Sequence, residues 1–164
     1  MLYVNENVKI HPLIHGGAQE RNMRAGTENV YGIVGFAKAL ELATAGLDAE
    51  SAHIKGIKLH MMEQLKKKIK GVSFNGDPLG RALYTVLSVS FPKTEKSEMI
   101  LFNLDINNIC ASGGSACTSG ADQGSHVIRA INNNPNQVTV RFSFSKYNTK
   151  DEVDQVVDVV KSLI

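Results

Sequence analysis

The sequence predicts an α/β fold in which a small, mainly antiparallel sheet has helices on one side and follows a long connecting helix. Three patterns indicate this fold. Apolar residues recur at helical spacing across 28–70, apolar and polar residues alternate across 83–91 and 138–144, and Thr149-Lys150-Asp151-Glu152 forms a capping box before a last amphipathic helix. We expect three or four strands. A complete two-layer α+β domain is the alternative arrangement.

The long helical region has Thr27 in the position of an N-cap and Gly46 as an interruption. It is therefore either two helices or one long kinked helix. Its apolar stripe consists of Val30, Ile33, Val34, Ala37, Leu40, Ile54, Ile57, Met61, Leu65 and Ile69.

The sheet is predicted from period-two patterns. The main strand covers 83–91 and ends before Pro92, 72–75 is a shorter partner, and 138–144 is another strand. A short helix is expected over 97–104. The last helix carries the apolar stripe Val153, Val156, Val157, Val160 and Leu163.

The N-terminal part is less regular. Residues 1–6 are strand-like, and 11–27 form a polar, glycine-containing loop longer than ordinary connections. We expect three regions: 1–27, extended and poorly anchored; 28–70, the connecting helix or helices; and 71–164, a small C-terminal domain.

Composition narrows the possible functions. The 164 residues have 43% hydrophobic and 21% charged residues and a formal charge of +2, which is typical of a globular protein and does not favour nucleic acid as the main partner. No leader and no apolar run of ~18 residues is visible, so we expect neither secretion nor membrane insertion. Two cysteines favour a reducing cytoplasm, and no histidine spacing indicates a metal site.

The most unusual segment is 111–121, in which eleven consecutive residues are small. It contains Cys117, whose thiol is expected to be accessible and is a candidate for nucleophilic or sulfur-transfer chemistry. Cys110 follows Ile109 and is expected to be shielded in a strand or the core. The alternative for the segment is an ordinary surface loop.

Anion-binding side chains are the other candidates. Arg141 lies in an alternating strand on the polar face, where its guanidinium can bind a carboxylate through two hydrogen bonds. Its alternative is a surface salt bridge. Arg24-Ala25-Gly26-Thr27 could bind phosphate or simply cap the helix, and Ser112-Gly113-Gly114-Ser115 could be an anion nest or a turn. His15 and His126 are either polar site residues or structural hydrogen-bonding groups.

Five short motifs occur in order along nearly the whole chain: His15-Gly16-Gly17-Ala18-Gln19-Glu20-Arg21, Arg24-Ala25-Gly26-Thr27, Ser115-Ala116-Cys117-Thr118-Ser119, Ser125-His126-Val127-Ile128-Arg129-Ala130 and Arg141-Phe142-Ser143. Together they resemble the pyridoxal-phosphate-dependent cysteine desulfurases, which are similar to class V aminotransferases. The Ser-Ala-Cys-Thr-Ser form is similar to the group with a long catalytic-cysteine loop.

The resemblance implies roles for three residues. Cys117 would form the persulfide, Arg141 would bind the carboxylate of the substrate L-cysteine, and Thr27 would contact the phosphate of the cofactor of a partner subunit in a homodimer. Ala18, Asn22 and Gly113 depart from the usual residues of the family, which affects loop conformation more than chemistry.

The resemblance also implies that this chain is a C-terminal portion. Its three regions would be the edge of the large cofactor domain with an active-site loop, the connecting helix, and the small domain of a fold-type I enzyme.

The resemblance also bears on activity. The Schiff-base lysine of the family lies upstream, so the isolated chain is expected to be inactive and not to bind pyridoxal 5'-phosphate. The intact enzyme would convert L-cysteine to L-alanine and pass sulfur to an iron–sulfur scaffold or another acceptor protein. A sulfur-carrier or interaction module and a selenocysteine lyase are the alternatives.

Overall fold

The computed structural model describes residues 2–113, 125–132 and 134–164. These residues form helices and a small sheet in mixed order, with short 3-10 helices at Glu20–Asn22 and Lys96–Met99. In chain order the elements are α1 (Val30–Lys68), β1 (Ser73–Phe74), β2 (Val86–Pro92), α2 (Ile100–Ile106), α3 (His126–Ile131), β3 (Gln137–Ser143) and α4 (Lys150–Leu163).

The contact pattern divides the chain into two units, the first ending at Gly46 and the second running from Leu47 to Ile164. In residues 2–46 of the first unit, Ala25 is the one buried residue. The expectation of a strand at 1–6 is wrong for residues 2–6, which are exposed and outside any strand. A strand needs a neighbour to pair its backbone groups, and no described segment pairs with these residues.

α1 is a single helix of 39 residues. One glycine in a helix costs only about 1 kcal/mol relative to alanine, so Gly46 does not break it. The predicted N-cap is also wrong. Asn29 takes that position, because its Oδ1 accepts a hydrogen bond from the backbone N–H of Gly32 at 3.1 Å.

α1 is long and apolar enough to span a membrane by length and composition. An 18-residue window of it has a mean hydropathy of 1.3 and at most two charged residues, and none of that window is buried. The expectation that no segment meets this criterion is therefore corrected. A single helix that meets a criterion of length and composition does not by itself assign α1 to a membrane.

The second unit is built on a three-stranded antiparallel sheet in the order β1-β2-β3, as predicted. Alternate apolar residues of β2 and β3 are buried in the core, and Ser90, on the opposite face of β2, is buried as well. The core comprises Ile54, Ile57, Met61, Met62 and Leu65 of α1; Leu87, Val89 and Phe91 of β2; Ile100 and Leu104 of α2; Val140 and Phe142 of β3; and Val153, Val157 and Val160 of α4, together with Ile69, Ile109 and Phe144.

α4 begins at the predicted capping box. Thr149 accepts a hydrogen bond from the Glu152 N–H, and the Glu152 side chain accepts one from the Thr149 N–H. α4 also pairs with α1 through polar groups: His60 Nε2 is 2.8 Å from Asp154 Oδ1, and Lys68 Nζ is 2.6 Å from Asp158 Oδ1. The apolar core and these two polar pairs together fix α4 along the C-terminal part of α1.

Candidate active site

Arg141 lies in the middle of β3, on the face of the sheet opposite the apolar core. Val140 and Phe142 on either side of it are buried, whereas Arg141 is exposed, because successive side chains of a strand point to opposite faces. Its guanidinium makes neither a hydrogen bond nor an ion pair with the described part of the chain. The surface salt bridge that sequence reasoning left open is therefore not seen within those ranges.

Ser112 pairs with the backbone of Arg141 on the side of β3 away from β2. The Ser112 N–H donates to the Arg141 carbonyl at 3.1 Å, and the Arg141 N–H donates to the Ser112 carbonyl at 2.7 Å. These two bonds fix the start of the small-residue segment beside the arginine. Cys117 itself, the predicted nucleophile, lies outside the described residues.

Cys110 is exposed, and the expectation that it is shielded in a strand or the core is wrong. The chain leaves α2 through Asn108, whose φ of 59° is left-handed. Ile109 then enters the core, and its N–H donates to the Leu104 carbonyl at 2.9 Å. Since neighbouring side chains of an extended segment point in opposite directions, burial of Ile109 exposes the Cys110 thiol.

A polar network that sequence reasoning missed covers part of the same sheet face. Asn75 Nδ2 donates to Ser88 Oγ at 3.1 Å and to Ser90 Oγ at 2.8 Å, and Ser90 Oγ lies 3.1 Å from Thr139 Oγ1. Asn132 Nδ2 donates to Asn75 Oδ1 at 3.3 Å. The alternating serines of β2 were the available signal, but the identity of their partners requires the register of the sheet.

α3 joins this network at its C-terminal end, because Asn132 is its C-cap. Ser125 is its N-cap, with the Ser125 side chain accepting a hydrogen bond from the Ile128 N–H. His126, at the first position of the helix, is exposed, as is His15 in the first unit. Neither histidine makes a hydrogen bond within the described ranges. The structural hydrogen bonds that were the alternative for these two residues are therefore not seen there.

The loop before α1 is held by its own polar side chains. Arg24 Nη1 donates to the carbonyls of Gly26 at 3.2 Å and Thr27 at 2.7 Å, and the Gly26 N–H donates to Gln19 Oε1 at 3.1 Å. Gly26 has a φ of 90°, which residues other than glycine rarely adopt. Thr27 is exposed, and its hydroxyl makes no hydrogen bond within the described ranges.

Among the residues of the second unit that the structure describes, one charged side chain is buried. Lys58 is 4% exposed, and its Nζ donates to the Leu83 carbonyl at 3.2 Å. Burial lowers the pKa of Lys58, and the charge of Asp77 partly opposes this shift. This hydrogen bond connects α1 to the segment that precedes β2. Within residues 2–113, 125–132 and 134–164, no group of three or more His, Cys, Asp or Glu side chains is arranged to hold a metal ion.

Comparison with known proteins finds one family along nearly the whole chain. Residues 3–156 match the family described as Aminotransferase class-V. Curated relatives include the cysteine desulfurase IscS of Dictyoglomus turgidum, 40% identical over 99% of this chain and 41% of its own length. Another is the cysteine desulfurase IscS of Methanosarcina thermophila, 42% identical over 99% of this chain and 40% of its own length.

Solved structures give the same result. A NifS-like protein from Rickettsia africae ESF-5 superposes with a TM-score of 0.74 at 28% identity, over 96% of this chain and 41% of that protein. A second NifS-like protein has a TM-score of 0.76 at 34% identity, over 98% of this chain and 40% of that protein. The chain thus spans about two fifths of the length of the relatives it matches. The resemblance to cysteine desulfurases is confirmed, and the chain belongs to the aminotransferase class-V family.

Proposed function

We propose that this chain is the sulfur-accepting part of a cysteine desulfurase, which converts L-cysteine to L-alanine. The names of its relatives support the reaction class. The observation that carries the proposal is the backbone pairing of Arg141 with Ser112. It joins a side chain suited to a carboxylate to the segment that contains Cys117.

Arg141 is the proposed ligand of the substrate carboxylate. A guanidinium presents parallel N–H groups that match the two oxygens of a carboxylate. The side chain is exposed on a strand whose neighbouring residues are fixed in the core. A rigid strand therefore presents the guanidinium to an incoming carboxylate.

Cys117 is the proposed acceptor of the sulfur. It follows Ser112 by five residues, so covalent geometry limits the separation of their Cα atoms to about 18 Å. Ser112 is hydrogen-bonded to Arg141, so the thiol is confined to a limited volume around the proposed carboxylate site. Arg141 and Cys117 can for that reason act on the same L-cysteine molecule.

The transfer balances without an added oxidant. The Cys117 thiolate attacks the sulfur of L-cysteine, a sulfur–sulfur bond forms, and the Cβ–S bond of the substrate breaks. The electron pair of that bond stays with Cβ, which takes up a proton and becomes the methyl group of L-alanine. Carbon is reduced, sulfur is oxidised to the sulfane level, and the product on the protein is a persulfide of Cys117.

The family implies pyridoxal 5'-phosphate as cofactor, and the described residues fit only a part of such a site. Thr27 offers an exposed hydroxyl to a phosphate, whereas Arg24 and the Gly26 N–H are already engaged within their own loop. When bound, the cofactor supplies an electron sink that weakens the Cβ–S bond. We propose that the rest of its site comes from residues outside this chain, and that the isolated chain is inactive.

Sulfur delivery is the remaining step of the proposal. A persulfide passes its outer sulfur to thiols, and a reducing compartment keeps the thiol of Cys117 free to accept sulfur again, so we propose action in the cytoplasm. The acceptor is an iron–sulfur scaffold or another sulfur-carrying protein. Thr27 would serve the cofactor of the partner subunit in a homodimer.

The test compares two cysteine variants in the full-length protein. Cys117→Ser is expected to reduce alanine formation from L-cysteine by at least about a hundredfold, because the hydroxyl is a poor acceptor of sulfur. Cys110→Ser is the matched control, since it removes the other thiol, and we expect turnover within about twofold of the unmodified protein. Full turnover of the Cys117→Ser protein would overturn the proposal.

A further inference from the structure

Three residues form a row across the polar face of the sheet. Ser88 of β2 lies directly opposite Arg141 of β3, and Ser112 lies opposite Arg141 on the other side. Directly opposed residues of antiparallel strands present their side chains on the same face, with Cβ atoms about 4.5–5.5 Å apart. The exposed guanidinium is thus flanked by two hydroxyl-bearing residues.

The Ser88 hydroxyl is oriented by the polar network. Asn75 Nδ2 donates to Ser88 Oγ at 3.1 Å, which occupies an acceptor position of that oxygen. Asn75 is itself fixed, because its Oδ1 accepts from Asn132 Nδ2 and its N–H donates to the Ser88 carbonyl at 2.9 Å. Ser88 is left with a proton to donate, beside the positive charge of Arg141. Ser112 has no such oriented partner within the described ranges.

We propose that Ser88 is a second ligand of the substrate carboxylate, donating its hydroxyl hydrogen to the carboxylate that Arg141 binds. The inference rests on the proposed function and adds a residue to it. A hydroxyl that donates to an anion beside a guanidinium makes a charge-assisted hydrogen bond. Ser88 would therefore contribute to the affinity for L-cysteine and not to the breaking of the Cβ–S bond.

The test uses two substitutions of the same shape in the full-length protein. Ser88→Thr keeps the hydroxyl, Ser88→Val does not, and both β-branched side chains suit a strand, so a folding effect is shared. We expect the KM for L-cysteine of Ser88→Val to be about tenfold above that of Ser88→Thr, with kcat within about twofold. Equal KM values would overturn the proposal.

Two further variants separate the outcomes. Ser73→Ala is the matched control on the same face of the sheet. Ser73 pairs with Ser90 and so lies in a different row from Arg141. We expect the KM of Ser73→Ala for L-cysteine to be within about twofold of that of the unmodified protein.

In an Arg141→Gln background, the KM values of Ser88→Thr and Ser88→Val should differ by less than about threefold, because the carboxylate is no longer held there. If Arg141→Gln alone leaves KM unchanged, the carboxylate site of the proposed function is wrong as well. A changed KM for Arg141→Gln with equal values for the two Ser88 variants overturns only the role of Ser88.

Discussion

The two faces of the sheet differ in what their side chains do. One face presents Leu87, Val89, Phe91, Val140 and Phe142 to the helices, and all five are buried. The opposite face carries Arg141 and the network of Asn75, Ser88, Ser90 and Thr139. The same alternation that builds the core thus produces a rigid polar surface, and we expect substitutions on the two faces to affect different measurements.

The largest expected effect is on the apolar face. Phe91 is fully buried, and Phe91→Ala should lower the free energy of unfolding by about 3–5 kcal/mol, because it removes apolar contacts and leaves a cavity. Urea denaturation measures this. Phe102→Ala is the control, since Phe102 is 57% exposed, and a change of more than about 1 kcal/mol there would contradict the assignment of the core.

The next effect concerns the helix that closes the apolar face. Thr149→Ala should lower the free energy of unfolding, measured by urea denaturation, by about 1 kcal/mol, because the side chain that caps α4 is lost. The hydrogen bond from the Thr149 N–H, followed by that from Asn148, lowers the pKa of Glu152. The stabilisation that accompanies this shift is present above the unfolded-state pKa of Glu152 and is lost as pH falls through its folded-state pKa.

The acidic limb of the stability profile should consequently be shallower in Glu152→Gln than in the unmodified chain, because the amide keeps an oxygen to accept from the Thr149 N–H but has no carboxyl group to titrate. Ser162→Ala serves as the control, because Ser162 donates to the Val159 carbonyl on the same helix but is far from the cap. Its stability should stay within about 0.5 kcal/mol at every pH. An equally steep acidic limb in both variants would show that the capping box does not hold Glu152.

The smallest effect on stability is expected on the polar face. Arg141→Gln should change the free energy of unfolding by no more than about 0.5 kcal/mol, because the side chain is exposed and unpaired within the described ranges. The same substitution should raise the KM for L-cysteine by at least about tenfold in the full-length protein. A large loss of stability would mean that the arginine belongs to the architecture of the sheet and not to a binding site.

Much of the second unit could be predicted from the sequence. The alternation in β2 and β3 and the capping box of α4 are local patterns, and the structure confirms them. The N-cap of α1 could not be predicted, because Thr27 and Asn29 are both suitable residues, and only the structure shows that the Gly32 N–H donates to Asn29. The exposure of Cys110 depends on the left-handed turn at Asn108, which the sequence pattern does not reveal.

The candidate site shows the same limit. Arg141 could be recognised because a charged residue in an alternating strand is conspicuous. Ser88 could not, because serines on the polar face of a strand are ordinary, and only the register shows that Ser88 is opposite Arg141. The role of Asn75 also depends on a long-range contact, since the turn that follows it explains the asparagine equally well at the level of sequence.

The most direct test of the proposed sulfur transfer is to locate the sulfur on the protein. The full-length protein would be incubated with L-cysteine, its persulfides alkylated, and its peptides examined by mass spectrometry. Because no Lys, Arg, acidic or large apolar residue separates the two cysteines, they share one peptide, and its fragment ions assign the sulfur. We predict one additional sulfur atom on Cys117 and none on Cys110. Additional sulfur on Cys110, or on neither cysteine while alanine is formed, would contradict the role of Cys117 as the sulfur acceptor.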